Sequence, residues 1–400
     1  MSAGRPLANF DLIKRWPRKL ETLRGSAKKS SMRSNQEANV FVAGIDAHTR
    51  YVKVVVVTRT GERVLGPMRV NAAEPARLRT ALAAYRPLRV VVETSSAWPW
   101  LHQRLEAPGV TFVLAHARRL RAIAEATYKS DDIDAELLAR MDLAGLIPPV
   151  YVAPAEQREW AILIRHRVTL VGERTALVNR VHAQLHLCGL HLERGRLLTR
   201  AGWRWLRTEA WPQLSVEQRA LVRSHRRLIG ELCVLVRATD RRIATVAAHV
   251  PAAELLMTVP GIGPHRALLI AAEALPISRF RTAGHLASYA GLVPVSKQSG
   301  ERGVQHGPIP AGANRWLRGA LVRAVVSHVQ HAPTSWLTTY YTEQKARRGW
   351  PVARIAAARK LARAIHAMLR TNTRWQNAQN ARTTEPLEGR APVSACGSTA

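Results

Sequence analysis

Between Val40 and Leu114 the chain repeats one pattern, and that pattern narrows the fold more than any other feature. Short Val-rich runs occur at Val40–Asp46, Val52–Thr58, Arg63–Val70, Arg89–Glu93 and Val110–Leu114. They have strand length and β-branched composition, which disfavours helix and suits a pleated, half-buried surface. Thr60-Gly61-Glu62 marks a turn between the second and third runs. Helical stretches fill the later gaps, at Glu74–Tyr85 and Trp98–Leu105, and Arg118–Tyr128 and Asp132–Ala144 follow. Three strands in a meander that pass into alternating helix and strand predict a mixed sheet flanked by helices.

This order matches an RNase H-like fold. Its strand ends carry acids: Gly44-Ile45-Asp46 closes the first run and Val91-Val92-Glu93 the fourth. Pairing of those two strands places the two carboxylates side by side. Lys129-Ser130-Asp131-Asp132-Ile133-Asp134-Ala135 adds two more, because Asp131 and Asp134 are three apart and share one face of a helix. Asp132 points elsewhere. Four acids in one cleft repel unless cations are bound. Magnesium suits them, being hard, oxygen-seeking and able to keep waters. Two such ions about 4 Å apart activate an attacking oxygen and stabilise a leaving one in phosphodiester chemistry. Lys129 either touches a phosphate or simply flanks the acids.

The acids stand out because the chain is so basic. Lys+Arg number 60 against 28 Asp+Glu, a net charge of +32 over 400 residues. Such an excess favours a polyanion, and nucleic acid is the leading partner. A membrane surface is the weaker candidate: no apolar run of about 18 residues is present, nor an amphipathic or lipidated anchor. Cys188, Cys233 and Cys396 form neither a disulfide framework nor a zinc spacing, as in a reducing cytoplasm.

The length predicts two or three folded domains. Residues 1–39 read as a basic, disordered arm without an apolar signal core, and 40–150 as the sheet domain, closed by Pro148, Pro149 and Pro154. Residues 151–250 read as a long helical hairpin or coiled coil. One helix spans about Ala155 to Cys188, with Ile164, Val171, Val178 and Leu185 every seven residues; Ala161, Val168, Thr175 and His182 hold the companion positions. Its partner spans about Val216 to His249, with Leu221, Leu228 and Leu235 at the same period and Leu232 beside them. The other faces are Arg-rich, with Arg165, Arg167, Arg174 and Arg180, then Arg223, Arg226 and Arg227, and read either as nucleic-acid contacts or as a solvated surface.

Residues 251–370 read as a mostly α-helical domain, and 371–400 as a disordered tail. Val259-Pro260-Gly261-Ile262-Gly263 resembles the turn of a helix-hairpin-helix module. Its amides either hold a phosphate, with Gly261 and Gly263 allowing close approach, or make a tight turn between core helices. The stretch from Gly291 to Gly300 reads as a Gly-rich loop, in which Ser299 before Gly300 is either an ordinary turn or an exposed nucleophile.

Taken together these blocks resemble a family: the bridge-RNA-guided insertion-sequence transposases of the IS110/IS116/IS902 type, with an N-terminal RuvC-like DEDD domain and a C-terminal serine transposase domain. Three acidic blocks carry the likeness, around Asp46, Glu93 and Lys129–Ala135. So do Val259–Gly263, Phe280, Tyr289-Ala290-Gly291-Leu292-Val293-Pro294, Ser299-Gly300 and Gly312-Ala313-Asn314-Arg315-Trp316-Leu317-Arg318. The likeness runs from about 40 to 370. Ile309-Pro310-Ala311 departs from it, where the family usually carries a basic residue.

The resemblance implies a composite site in which Asp46, Glu93, Asp131 and Asp134 bind magnesium and Ser299 attacks a DNA phosphate to form a covalent phosphoserine. Ser296 competes as nucleophile; Ser299 is favoured because the family places its serine directly before Gly. It further implies donor and target DNA, a guide RNA from the element's flank, and dimers assembling into a synaptic tetramer in the bacterial cytoplasm, at the nucleoid when bound to DNA. Lys129, Arg165, Arg167, Arg174, Arg180, Gly261, Gly263, Gly300, Asn314, Arg315 and Arg318 are the expected nucleic-acid contacts. Two rivals remain open: a RuvC-like nuclease that uses metal-activated water, and an inactive relic that only binds nucleic acid.

Overall fold

The computed structural model describes residues 41–123, 131–294, 296–299, 302–307 and 312–375, without side chains at 121–123, 131–133, 296–299 and 302–306. The arm 1–39, Lys129, Gly300 and most of the tail lie outside the described residues, as do the side chains of Asp131, Ser296 and Ser299. The chain divides into two units, Met1–Val152 and Ala153–Ala400.

In the first unit, β1 (Phe41–Ala47), β2 (Tyr51–Val57) and β3 (Arg63–Asn71) form an antiparallel meander. Then come α1 (Pro75–Ala83), β4 (Leu88–Glu93), α2 (Trp98–Leu105), β5 (Val110–Ala115), α3 (Ala117–Ile123), α4 (Asp131–Leu143) and β6 (Pro149–Val150). The sheet order is β3-β2-β1-β4-β5-β6; β1, β4 and β5 run parallel and β6 returns antiparallel. The alternation within the strands sorts the core into two layers. Ala43, Ile45, Val90 and Val92 pack with Leu78, Leu82 and Leu101 of α1 and α2, whereas Val42, Val55, Val57 and Val91 pack with Ala135, Leu138 and Ala139 of α4. The prolines that sequence reasoning took as a domain end include the two-residue strand β6. A strand this short has no period to read, and proline is tolerated in it because it lies at the sheet edge.

The second unit begins with α5 (Ala155–Leu187), continues through the short α6 (Arg200–Trp205), and returns along α7 (Val216–Ala248). A capping box starts α7: the Ser215 side chain accepts from the Gln218 amide, and Gln218 accepts from the Ser215 amide. Next come α8 (Pro251–Met257), α9 (Pro264–Ala274), α10 (Ala283–Tyr289), the hairpin β7 (Ser296–Ser299) and β8 (Arg302–His306), α11 (Arg315–His331) and α12 (Trp336–Thr371). The inner end of the α5–α7 hairpin shares a core with the later helices: Ile164, Ile243 and Ala247 cluster with Leu268, Leu321 and Leu361.

Two local readings change. On α7 the buried column is Val222, Ile229, Val236 and Ile243, while Leu221, Leu228 and Leu235 are 36%, 51% and 49% exposed. Both columns repeat every seven residues, so periodicity alone does not say which one faces α5. On α5, Ile164, Val178 and Leu185 are buried as expected, joined by Leu170, Leu177 and Val181. The segment expected as a loop around Ser299 contains a strand, with Ser296 opposite His306 and Ser299 opposite Arg302. Only residues 300 and 301 separate the two strands, the spacing of a tight hairpin turn. No helix among the described residues is long and apolar enough to cross a membrane.

Candidate active site

In the first unit, backbone geometry brings the acids together. β1 and β4 are parallel and in register from Phe41 opposite Leu88 to Ile45 opposite Val92, so Asp46 and Glu93 follow at the same ends of neighbouring strands. By alternation, both belong to the face that α4 covers. That helix lies unusually close. A Cβ at Gly44 would stand 1.9 Å from the Ala135 carbonyl oxygen and 2.8 Å from the Ala139 amide nitrogen. Only glycine allows this approach, and it brings the α4 backbone at Ala135, next to Asp134, against β1 two residues before Asp46. Asp46, Glu93 and Asp134 are all half-buried.

Glu136 and Asp142, further along α4, have arginine partners. Arg89 donates from Nε and Nη2 to the two oxygens of Asp142, both at 2.8 Å, which fastens the end of α4 to β4. The hydrogen bonds to Asp142 hold the Arg89 pKa above its ordinary value. Glu136 accepts from Arg140 at 2.8 Å and from Arg63 at 3.2 Å. These pairs anchor the helix whose first turn holds Asp131 and Asp134. Among the described residues no three His, Cys, Asp or Glu side chains stand close enough to enclose an ion; the side chain of Asp131 is not among them. The donors described are carboxylates on one sheet face, a set that fits a hard divalent cation better than a soft one.

His48 was missed by sequence reasoning. Its Nε2 lies 2.8 Å from Asp46 Oδ2, and its ring stacks on Tyr51 at 4.5 Å, itself covered by Arg69 at 3.9 Å. The signal available in sequence was the Asp46-Ala47-His48 spacing at a strand end.

In the second unit, the turn Val259–Gly263 leads into α9. Gly261 has φ +85°, and a Cβ there would stand 2.5 Å from the His328 amide nitrogen, so the close approach it permits is to α11. Buried His328 clamps the turn, with Nδ1 2.8 Å from the Pro260 carbonyl and Nε2 2.5 Å from Ser335 Oγ. Burial holds its pKa below the usual range, which keeps the ring neutral.

Around the exposed Gly263 at the start of α9, the cations Arg167, Arg266 and Arg323 gather from three helices, with His265 among them. Asp240 accepts two bonds from Arg167, at 2.8 and 3.2 Å. Arg266 donates to the Gly261 carbonyl at 2.6 Å. Burial pushes the His265 pKa down to about 4, and the charges of Arg167, Arg323 and Arg266 add to that while Asp240 opposes it. Burial, then Arg323 and Arg167, lower that of Arg266.

The other expected contacts are dispersed. Arg165 pairs with Glu273 at 3.3 Å and lies 5.6 Å from the Trp316 ring centre. Arg174 is half-buried, with Nη1 3.9 Å from Cys233 Sγ, and Arg180 is exposed. Arg223 and Arg226 lie over Trp211 and Trp203. Asn314 caps α11 by accepting from the Leu317 amide at 2.9 Å, and donates to Glu273 at 2.8 Å and to the Tyr289 hydroxyl at 3.0 Å. Arg315 is exposed and Arg318 half-buried.

Comparison with known proteins agrees with this division. Residues 43–189 match a DEDD-type transposase domain of IS110 elements, and residues 253–342 match the family described as Transposase IS116/IS110/IS902. A Pseudomonas aeruginosa protein described as a family 20 transposase is 32% identical, over 61% of this chain and 73% of its own length. A Sinorhizobium fredii protein described as a transposase, y4rJ, is 29% identical over 67% of this chain and 72% of its own. The pilin gene-inverting protein of Moraxella lacunata is 36% identical over 30% of this chain and 37% of its own. DNA is therefore the substrate class, and a DEDD domain points to a divalent metal. The chain belongs to the IS116/IS110/IS902 family and is a DNA transposase.

Proposed function

We propose that the chain cuts and rejoins DNA through a covalent phosphoserine at Ser299, served by a magnesium site on an RNase H-like, RuvC-like first unit. The observation that carries this reading is the close seating of α4 on β1 at Gly44, beside the neighbouring strand ends of Asp46 and Glu93. Asp46, Glu93, Asp131 and Asp134 would hold the ions, two in number, which supply charge stabilisation at phosphate oxygens. His48 steadies Asp46.

In the reaction, the Ser299 hydroxyl loses its proton and its oxygen bonds to phosphorus. The phosphorus–oxygen bond to the deoxyribose breaks, and the released oxygen takes up a proton. Attack by a hydroxyl of another strand reverses the step and frees the serine. Energy stays in the phosphodiester, so no nucleotide triphosphate is consumed. Inversion of a pilin gene, named for one relative, also requires cutting and rejoining of strands. Arg167, Arg266 and Arg323 at α9 are read as a phosphate contact, since their mutual repulsion is relieved by an anion. Guidance by a structured RNA, and assembly of dimers into a tetramer, rest on the family resemblance.

The test uses purified protein, the element's flanking RNA, magnesium and labelled donor and target DNA. A denaturant-resistant protein–DNA adduct is expected in wild type and absent in Ser299→Ala. Asp46→Asn should lower strand transfer by roughly a thousandfold while leaving DNA binding intact, since it removes a negative charge. Free cleaved ends in both wild type and Ser299→Ala, without adduct, would establish the metal-and-water nuclease instead.

A further inference from the structure

The long helix α12 is interrupted in mid-course. Gly349 adopts φ 76° and ψ 166°, a conformation essentially confined to glycine, and Pro351 then restarts the helix. Trp350 sits between them and is 55% exposed. It is the one surface-exposed tryptophan among the described residues. Arg354 lies over its ring, 4.0 Å from the centre, and the Arg354 Nε is shielded without a hydrogen-bond partner among the described groups. Lys345, Arg347 and Arg348 are exposed just before the break. From 344 to 375 the chain carries nine Lys and Arg and no Asp or Glu.

A solvated basic surface would explain the cations but not the tryptophan, whose apolar ring gains nothing from water. A second copy of this chain, at net charge +32, would bring like charges against the patch. An exposed aromatic ring with Arg354 against it and three exposed cations just before it in the chain matches a strand that offers both an open base and phosphates. Bases in a duplex are already stacked on their neighbours, so only an unpaired base can lie on the ring. We propose that Trp350, at the Gly349 break of α12 and beside Lys345, Arg347, Arg348 and Arg354, is a stacking platform for an unpaired base of single-stranded DNA. Such strands arise whenever a transposase opens its substrate. The inference takes only DNA from the family assignment, and it stands whether or not Ser299 is the nucleophile.

The experiment measures binding of the full chain, without magnesium, to a labelled single-stranded DNA oligonucleotide, to its duplex and to the RNA of the same sequence. Trp350→Ala should weaken single-strand binding by about ten- to a hundredfold with the salt dependence unchanged, and Trp350→Phe should restore most of it. Duplex binding should change by less than about twofold, because phosphate contacts alone sustain it. Replacing Lys345, Arg347 and Arg348 by alanine should instead flatten the salt dependence, by about 0.7 in slope for each phosphate left unneutralised. Equal losses on single strand and duplex, no loss with Trp350→Ala, or a loss confined to RNA would each overturn the proposal. Thermal melting of each variant checks that the fold is retained, and Trp350→Leu, apolar but without an aromatic face, should show the same single-strand loss and keeps the test valid if Trp350→Ala does not fold.

Discussion

The two charged regions of this transposase are built in opposite ways. In the first unit, acids are carried by main-chain geometry: two strand ends in parallel register and one helix seated on a glycine. In the second, cations arrive at the start of α9 on long side chains from α5, α9 and α11, each helix contributing reach rather than position. Strand register has little tolerance, since a one-residue slip turns every side chain to the other face. Arginine reach tolerates shifts of an ångström or more. Metal coordination demands the first kind of placement, whereas a phosphate that moves along a groove is served by the second.

Substitution at the close contact breaks the comparison most sharply. Gly44→Ala should cost about 4 kcal/mol, above the usual range for an added methyl, because the new Cβ meets the α4 backbone at both Ala135 and Ala139. Denaturant unfolding would measure it, and a loss under about 1 kcal/mol would mean that α4 is seated more loosely than the strand ends require.

A packing pair on α7 comes next. Ile229→Ala should cost about 3 kcal/mol, and Leu228→Ala, one residue earlier in the exposed column, within about 0.5. Equal costs would mean that the leucine column is covered by another chain in solution.

The smallest expected effect is at the basic corner. His265 has a folded pKa of about 4, below the ordinary 6.5, so the unfolded chain binds a proton that the folded one refuses. The folded state keeps its full stability above about pH 6.5 and loses part of it as the pH falls toward 4. His265→Gln should abolish that part, on the order of 1 kcal/mol after allowance for solvent screening. Melting temperatures of both proteins at pH 7 and pH 4.5 would show it as a narrower gap for the variant.

Much of the first unit was legible because its signals are local. Val-rich runs ending in Asp46 and Glu93 announce both the strands and their acids, and α5 and α7 announce themselves by length and heptad spacing. What escaped depends on contacts between distant residues. The choice between the Leu228 and Ile229 columns is made by α5 and not by α7 itself. The hydrogen bond from His48 to Asp46 needs the strand to end where it does. Asn314 was expected as a nucleic-acid contact through the family resemblance, and its side chain also caps α11 and holds Glu273 and Tyr289. Short polar residues serve both purposes, and sequence does not distinguish them.

That engagement of Asn314 bears on how the Ser299 segment can be exchanged. Its backbone amide donates to the Tyr289 carbonyl at 2.9 Å, and its side chain reaches the hydroxyl of the same tyrosine. Ala290 and Leu292 still belong to the helical core, so the chain between Leu292 and Asn314 begins and ends near one stapled point. Since the entropy of closing such a loop rises only with the logarithm of its length, an excursion pinned at its base can be lengthened, shortened or swapped as a cassette at a cost of well under about 1 kcal/mol per doubling. Pro294 and Gly312, exposed and just outside this staple, are accordingly the natural splice points for grafting a hairpin from another transposase onto this helical body.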